Sequence, residues 1–157
     1  MTRFLRRLNA YIGRSNEERW TFFASLILLP ALALALNRVG MRRTRAFLEA
    51  RARLAQPAAP TEEAHARARR IARMVNAAAR YSPYKANCLK RSLALWWLLR
   101  RRGIDSDVRI GVRKAEGTFQ AHAWVEMDGV VVNDSARFVG AFTPFAGDVM
   151  TIYRFLD

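Results

Sequence analysis

The amino-acid sequence predicts an α+β fold, helices first and an antiparallel sheet second, and three observations predict it. Up to residue 102 the apolar residues recur at helical spacing or in runs too long for a strand. Beyond Gly103 the period switches to alternation, with Val108, Ile110 and Val112 on one face. Asp128-Gly129 between two apolar runs is a strong hairpin signal. Helices followed by strands that can pair through short turns give a segregated α+β domain.

The helical part divides at a linker. Phe4, Leu5, Leu8, Tyr11 and Ile12 form a short basic amphipathic stretch, after which Asn16 is the expected N-cap, with Glu17 and Glu18 in the first turn. The apolar run Trp20 to Leu36 is interrupted by Pro30, Gly40 breaks the helix, and Met41 to Leu54 forms another with Phe47, Leu48 and Leu54 on one side. Gln56-Pro57-Ala58-Ala59-Pro60 reads as a linker, which separates an N-terminal helical segment, 1–55, from a main domain, 61–157. Thr61-Glu62-Glu63 opens the next helix, which carries Ile71, Met74 and Val75 at core spacing and ends near Tyr81-Ser82-Pro83. His65, in its polar first turn, reads as an exposed surface histidine. Asn87 caps a further helix whose first position is Cys88, whose middle is apolar nearly all round, and whose end is marked by three arginines and Gly103. The strands expected after it are one through Val108 to Val112, Phe119 to Glu126, Val130 to Asn133, and Val149 to Phe155.

Composition bounds the function. The 157 residues suit one compact domain with an appendage, and a 52% hydrophobic content argues against disorder. Lysine and arginine number 27 against 13 acidic residues, a net charge of +14 that attracts nucleic acid, anionic lipid or an acidic peptide without choosing among them. The single cysteine, Cys88, excludes an intramolecular disulfide and a multi-cysteine zinc site, and a lone thiol suits a reducing compartment; a cytoplasmic protein is expected. No secretory signal is recognisable. The segment 20–36 is shorter than a spanning helix wants, so a buried or partner-facing helix is favoured over membrane contact, which stays open.

Three residues carry the chemistry. Cys88 heads a buried helix, where free backbone N–H groups and the helix dipole favour a thiolate and would receive the oxyanion of a tetrahedral intermediate. His122 lies within a strand between Ala121 and Ala123, and Asp134 closes the next strand, where it would orient the imidazole. Each has a bland alternative: a core cysteine, a satisfied strand histidine, a turn aspartate. The order cysteine on a helix, histidine on one strand and aspartate on the next is that of a papain-like triad, and pattern alone leaves the two readings balanced. A two-residue Asp128-Gly129 loop sets His122 opposite Ser135; a three-residue loop, Met127-Asp128-Gly129, sets His122 opposite Asp134. Both suit the sequence, and catalysis selects the second.

The segments NCLKRSLALWWLLRRRGI, RIGVRK and AHAWVEMDGVVVND resemble the B2 proteins of lasso-peptide biosynthesis, over about Tyr81 to Phe145. That resemblance implies a transglutaminase-like core, a central cysteine-bearing helix packed on an antiparallel sheet and preceded by N-terminal helices. It implies a cysteine peptidase that removes the leader from a precursor peptide through an acyl-enzyme, with Cys88 as nucleophile, His122 as general base and acid, and Asp134 orienting it. It implies no cofactor and no metal. The implied partners are the precursor and a separate leader-recognition protein, since residues 1–55 show no strand-rich module, with the macrolactam cyclase as a further candidate. The rival readings are another acyltransferase or amidase on the same triad, a basic nucleic-acid module, and a membrane-anchored scaffold. Trp96, Trp97 and Trp124 fall in core elements rather than on a basic face, which disfavours nucleic acid.

Overall fold

Residues 15–52, 59–82 and 86–145 are described by a computed structural model. In them α1 (Asn16–Arg51), α2 (Glu62–Tyr81) and α3 (Cys88–Arg100) precede β1 (Asp107–Ala115), β2 (Thr118–Met127), β3 (Val130–Val131), the single turn α4 (Ala136–Val139) and β4 (Thr143–Pro144). The strands form one sheet in the order β3-β2-β1-β4, and the pairings are antiparallel. The amphipathic stretch 4–12, Leu54, most of the linker and the strand expected at 149–155 lie outside the described residues.

The cap of α1 is Ser15, one residue before the expected Asn16. Its hydroxyl accepts from the Glu18 N–H at 3.3 Å while the Glu18 carboxylate returns to the Ser15 N–H, a reciprocal capping box. Asn16 instead accepts from Arg19 at 2.8 Å. The helix runs on through Pro30, so the apolar run is not interrupted there, and it breaks at Gly40, which sits at φ 78° and ψ 172°. Beyond the break Leu48 is buried, but Phe47 is turned out under the Arg51 guanidinium, 3.7 Å from its ring centre.

Phe22, Leu29, Leu32 and Leu48 of α1 share one core with Ile71, Met74 and Val75 of α2, with Leu93, Leu95 and Leu98 of α3, and with Ala123, Val125 and Met127 of β2. Each buried leucine there contributes about 2 kcal/mol, so α3, buried on nearly every side, is the anchor of the domain. Its end is built by backbone geometry: Gly103 at φ 74° lets the Ile104 N–H reach Leu99 O at 3.1 Å and the Gly103 N–H reach Arg100 O at 3.0 Å. His65 is half-buried rather than exposed, because its ring reaches Thr61 O at 3.0 Å and Met127 O at 3.3 Å and pins α2 to the sheet.

The hairpin between β2 and β3 differs from the expected one. Met127 pairs with Val130 and Glu126 with Val131, so the loop has two residues, Asp128 at φ 50° and Gly129 at φ 72°. Two consecutive positive φ values match the right-handed twist of the strands, which a two-residue loop satisfies without a bulge. Glu116 and Gly117, at φ 50° and 80°, turn β1 into β2 in the same way.

Candidate active site

The local sequence explains how α3 presents Cys88. Asn87 has extended backbone, and its side-chain oxygen accepts from the Lys90 N–H at 3.1 Å, which fixes the first turn. The N–H groups of Cys88 and Leu89 then stand at the positions for which a helix has no internal acceptor. Cys88 is half-buried with a free thiol and packs against the helical core.

One turn later, Ser92 donates to the Ala123 carbonyl at 3.0 Å, fixing α3 against β2 beside His122. The C-terminal end of α3 leads by a short connection into β1, whose first residue, Asp107, pairs with Glu126. Cys88 precedes Ser92 by four residues, about 6 Å along the axis and on the same face.

Strand alternation puts Ala123 and Val125 on the helical core, and His122 with Trp124 on the other face. There the imidazole is walled by aromatic rings, Phe138 at 5.1 Å, Phe142 at 5.3 Å and Trp124 at 6.3 Å between centres. His122 Nε2 lies 2.8 Å from Asp134 Oδ2, with the imidazole side chain only 12% exposed. With Nε2 held by the carboxylate, Nδ1 is the nitrogen left for exchanging a proton. No hydrogen bond joins Cys88 to His122 among the described residues.

Asp134 reaches His122 because β3 ends early. The strand expected to run to Asn133 stops at Val131, followed by one more backbone bond from Val132 N–H to Val125 O at 3.0 Å. Asn133 then replaces a ladder partner with its side chain: Oδ1 accepts from the Val125 N–H at 2.8 Å and Nδ2 donates to Ser92 Oγ at 3.2 Å. Its carbonyl accepts from Asn76 Nδ2 of α2 at 3.0 Å. Asn133 thus ties α2, α3 and β2 together and swings the next residue, Asp134, to the open edge of β2. A cleft of about 400 Å³ is lined by Asn76, Ala86, Arg91, Asn133 and Asp134 among others, and by neither Cys88 nor His122.

Sequence reasoning did not single out Asn133, Ser92, Phe138 or Phe142. Ser92 and Asn133 stand in the quoted motifs, but their partners lie 31 to 41 residues apart, beyond any periodicity. No group of three acidic, histidine or cysteine side chains suited to a metal ion occurs among the described residues.

The helices followed by an antiparallel sheet are those of an α+β domain, and the Transglutaminase-like superfamily model matches residues 26–147. The chain belongs to that superfamily. Within it, the chain is similar to the microcin J25-processing protein McjB of Escherichia coli, 44% identical over 52 residues, or 33% of this chain. The match spans 24% of that protein's length. No solved structure matches the chain.

Proposed function

We propose that the protein is a cysteine endopeptidase that removes the leader from a lasso-peptide precursor. The observation that carries this reading is the 2.8 Å bond between His122 Nε2 and Asp134 Oδ2, which leaves Nδ1 free in a domain whose cysteine heads the adjoining helix. In the proposed reaction Nδ1 takes the Cys88 proton as the sulfur attacks the scissile carbonyl, and Asp134 stabilises the imidazolium. The Cys88 and Leu89 N–H groups are the donors available to the oxyanion. The imidazolium protonates the departing amine, leaving an acyl-enzyme. Water, deprotonated by the same nitrogen, then releases the leader acid and restores the thiol.

The reading carries a cytoplasmic location and a separate leader-recognition protein that brings the precursor to the cleft at high effective concentration. The test is to incubate the purified chain with a candidate precursor and recognition protein and weigh the products. Wild type yields leader and core as two masses, faster when the recognition protein is present. Cys88→Ala, a small change at a half-buried position, yields neither while its circular dichroism is unchanged. A Cys88→Ala protein that still cleaves would refute the mechanism.

A further inference from the structure

The outward side of α1 is apolar without interruption. Trp20 is 62% exposed, Phe23 56%, Ile27 75% and Leu34 59%, and Ala31 between them is exposed as well. Their spacing of three, four, four and three residues keeps them within an arc of about 80° on a helix of 3.6 residues per turn, a stripe roughly 21 Å long. A stripe of this size is uncommon on a free surface. The next residue in the series is Arg38, which is exposed, and beyond the break at Gly40 lie Arg42 and Arg43, also exposed and with no ion-pair partner among the described residues. From Arg19 to Leu48 there is no acidic residue. The carboxylates that flank this stretch are engaged, Glu17 with Arg67 and Arg102 and Glu49 with Arg45.

The other side of the same helix is committed to the core. Thr21, Phe22, Ser25, Leu29, Leu32 and Ala33 are buried, Arg102 donates to Thr21 Oγ1 at 2.8 Å, and the Glu17 carboxylate is held by Arg67 at 2.6 Å. The helix is long and apolar enough to cross a membrane. Crossing as packed here would carry Glu17, Arg67 and Arg102 into hydrocarbon, at a large cost in desolvation. A helix with one face locked on a domain and the other face apolar, bordered by tryptophan at one end and arginines at the other, is suited to lie in the plane of the interface.

We infer that the outward face of α1 docks the protein peripherally on an anionic lipid bilayer, the stripe entering the acyl boundary while Arg38, Arg42 and Arg43 meet the headgroups. Charge sign selects the occupant: the unpaired charges that adjoin the stripe are positive, in a chain of net charge +14, so a negatively charged surface is the complement. This inference is independent of the catalytic reading, since it concerns another face and needs no turnover.

The test uses the full chain and sedimentation with vesicles of phosphatidylcholine alone or mixed with phosphatidylglycerol. The expected result is partition onto the mixed vesicles and much weaker partition onto the neutral ones, with release by molar salt. Replacing Arg38, Arg42 and Arg43 together by Gln should lower the partition coefficient about a hundredfold, at roughly fivefold for each cation near the surface. Ile27→Glu should also abolish binding, whereas Phe119→Glu, at an equally exposed apolar site on the β1–β2 hairpin, should leave it unchanged. Circular dichroism shows that each variant is folded. Failure to bind the mixed vesicles, equal binding to both kinds, or Ile27→Glu binding like wild type would overturn the proposal. Retention that resists salt and carbonate would overturn it in favour of a spanning anchor. Capture of a leader-recognition protein that Ile27→Glu abolishes, without vesicle binding, would reassign the face to a protein.

Discussion

His122 and Asp134 are joined at 2.8 Å although strand register does not pair them. The two-residue turn at Asp128-Gly129 would bring Ser135 opposite His122 had β3 continued. The pair forms because the chain leaves the sheet after Val132 and Asn133 bonds across the gap, so the carboxylate arrives from the edge of β2 rather than from a facing strand position.

The pair sets the first prediction. His122→Ala should remove leader cleavage almost entirely, because the proposed base and acid is lost. Asp134→Ala should retain more activity, since orientation and charge stabilisation are lost but the base remains. Both should still bind leader. Single-turnover cleavage followed by mass spectrometry measures the order, and a more severe loss in Asp134→Ala than in His122→Ala would contradict these roles.

Asn133→Ala should weaken fold and activity together. The change strands the buried Val125 N–H and removes a donor to Ser92, at about 1–3 kcal/mol for an unsatisfied buried group. Activity measured well below the melting temperature should fall further than stability accounts for, because Asp134 loses the residue that directs it. Asn133→Asp keeps the acceptor and should recover part of the stability. Urea titration with parallel rate measurements separates the two effects.

Gly111 faces His122 across the β1–β2 pair, and a Cβ there would come 2.8 Å from Trp124 Cη2, 2.9 Å from the Thr143 carbonyl and 3.0 Å from Phe142 Cβ. Gly111→Ala should therefore destabilise by about 1–3 kcal/mol, as overpacking does. Two of the three contacts are to residues whose rings wall His122, so cleavage should fall too. A thermal melt and a rate at low temperature check both; a neutral Gly111→Ala would show that the β4 segment yields freely.

The Glu17 carboxyl is held below its ordinary range, chiefly by the hydrogen bond from Arg67 and against the opposing effect of burial. A carboxyl lowered in the folded state contributes stability above its unfolded pKa, and loses it as pH falls through the lower folded value. Burial lowers the Arg102 guanidinium pKa, but arginine stays charged throughout this range. Glu17→Gln should cost about 1–2 kcal/mol at neutral pH, less than a fully buried charge-assisted hydrogen bond because solvent screens the partly exposed pair, and little in acid. Melting temperatures of both proteins across the acid range should converge as pH falls.

Much of the fold and of the candidate site was legible in local chemistry. Asn87, Cys88 and Gly103 mark the bounds of α3 because caps and left-handed glycines act through the backbone beside them, and the alternation from Val108 onward marks the sheet because a strand must turn one face inward. Cys88, His122 and Asp134 could be named because motif and order lie along the chain. Phe47 and His65 were misplaced because exposure depends on what packs against an element, as Arg51 and the Met127 carbonyl do here. The early end of β3 was not legible, because it rests on Asn133 reaching Ser92 41 residues away, and neither loop length nor periodicity encodes such a contact. The sequence by itself determined which residues lie on which element. Only the tertiary structure decided that Asp134 meets His122 from the open edge of β2, since side-chain hydrogen bonds between distant segments form only once α2, α3 and the sheet have packed.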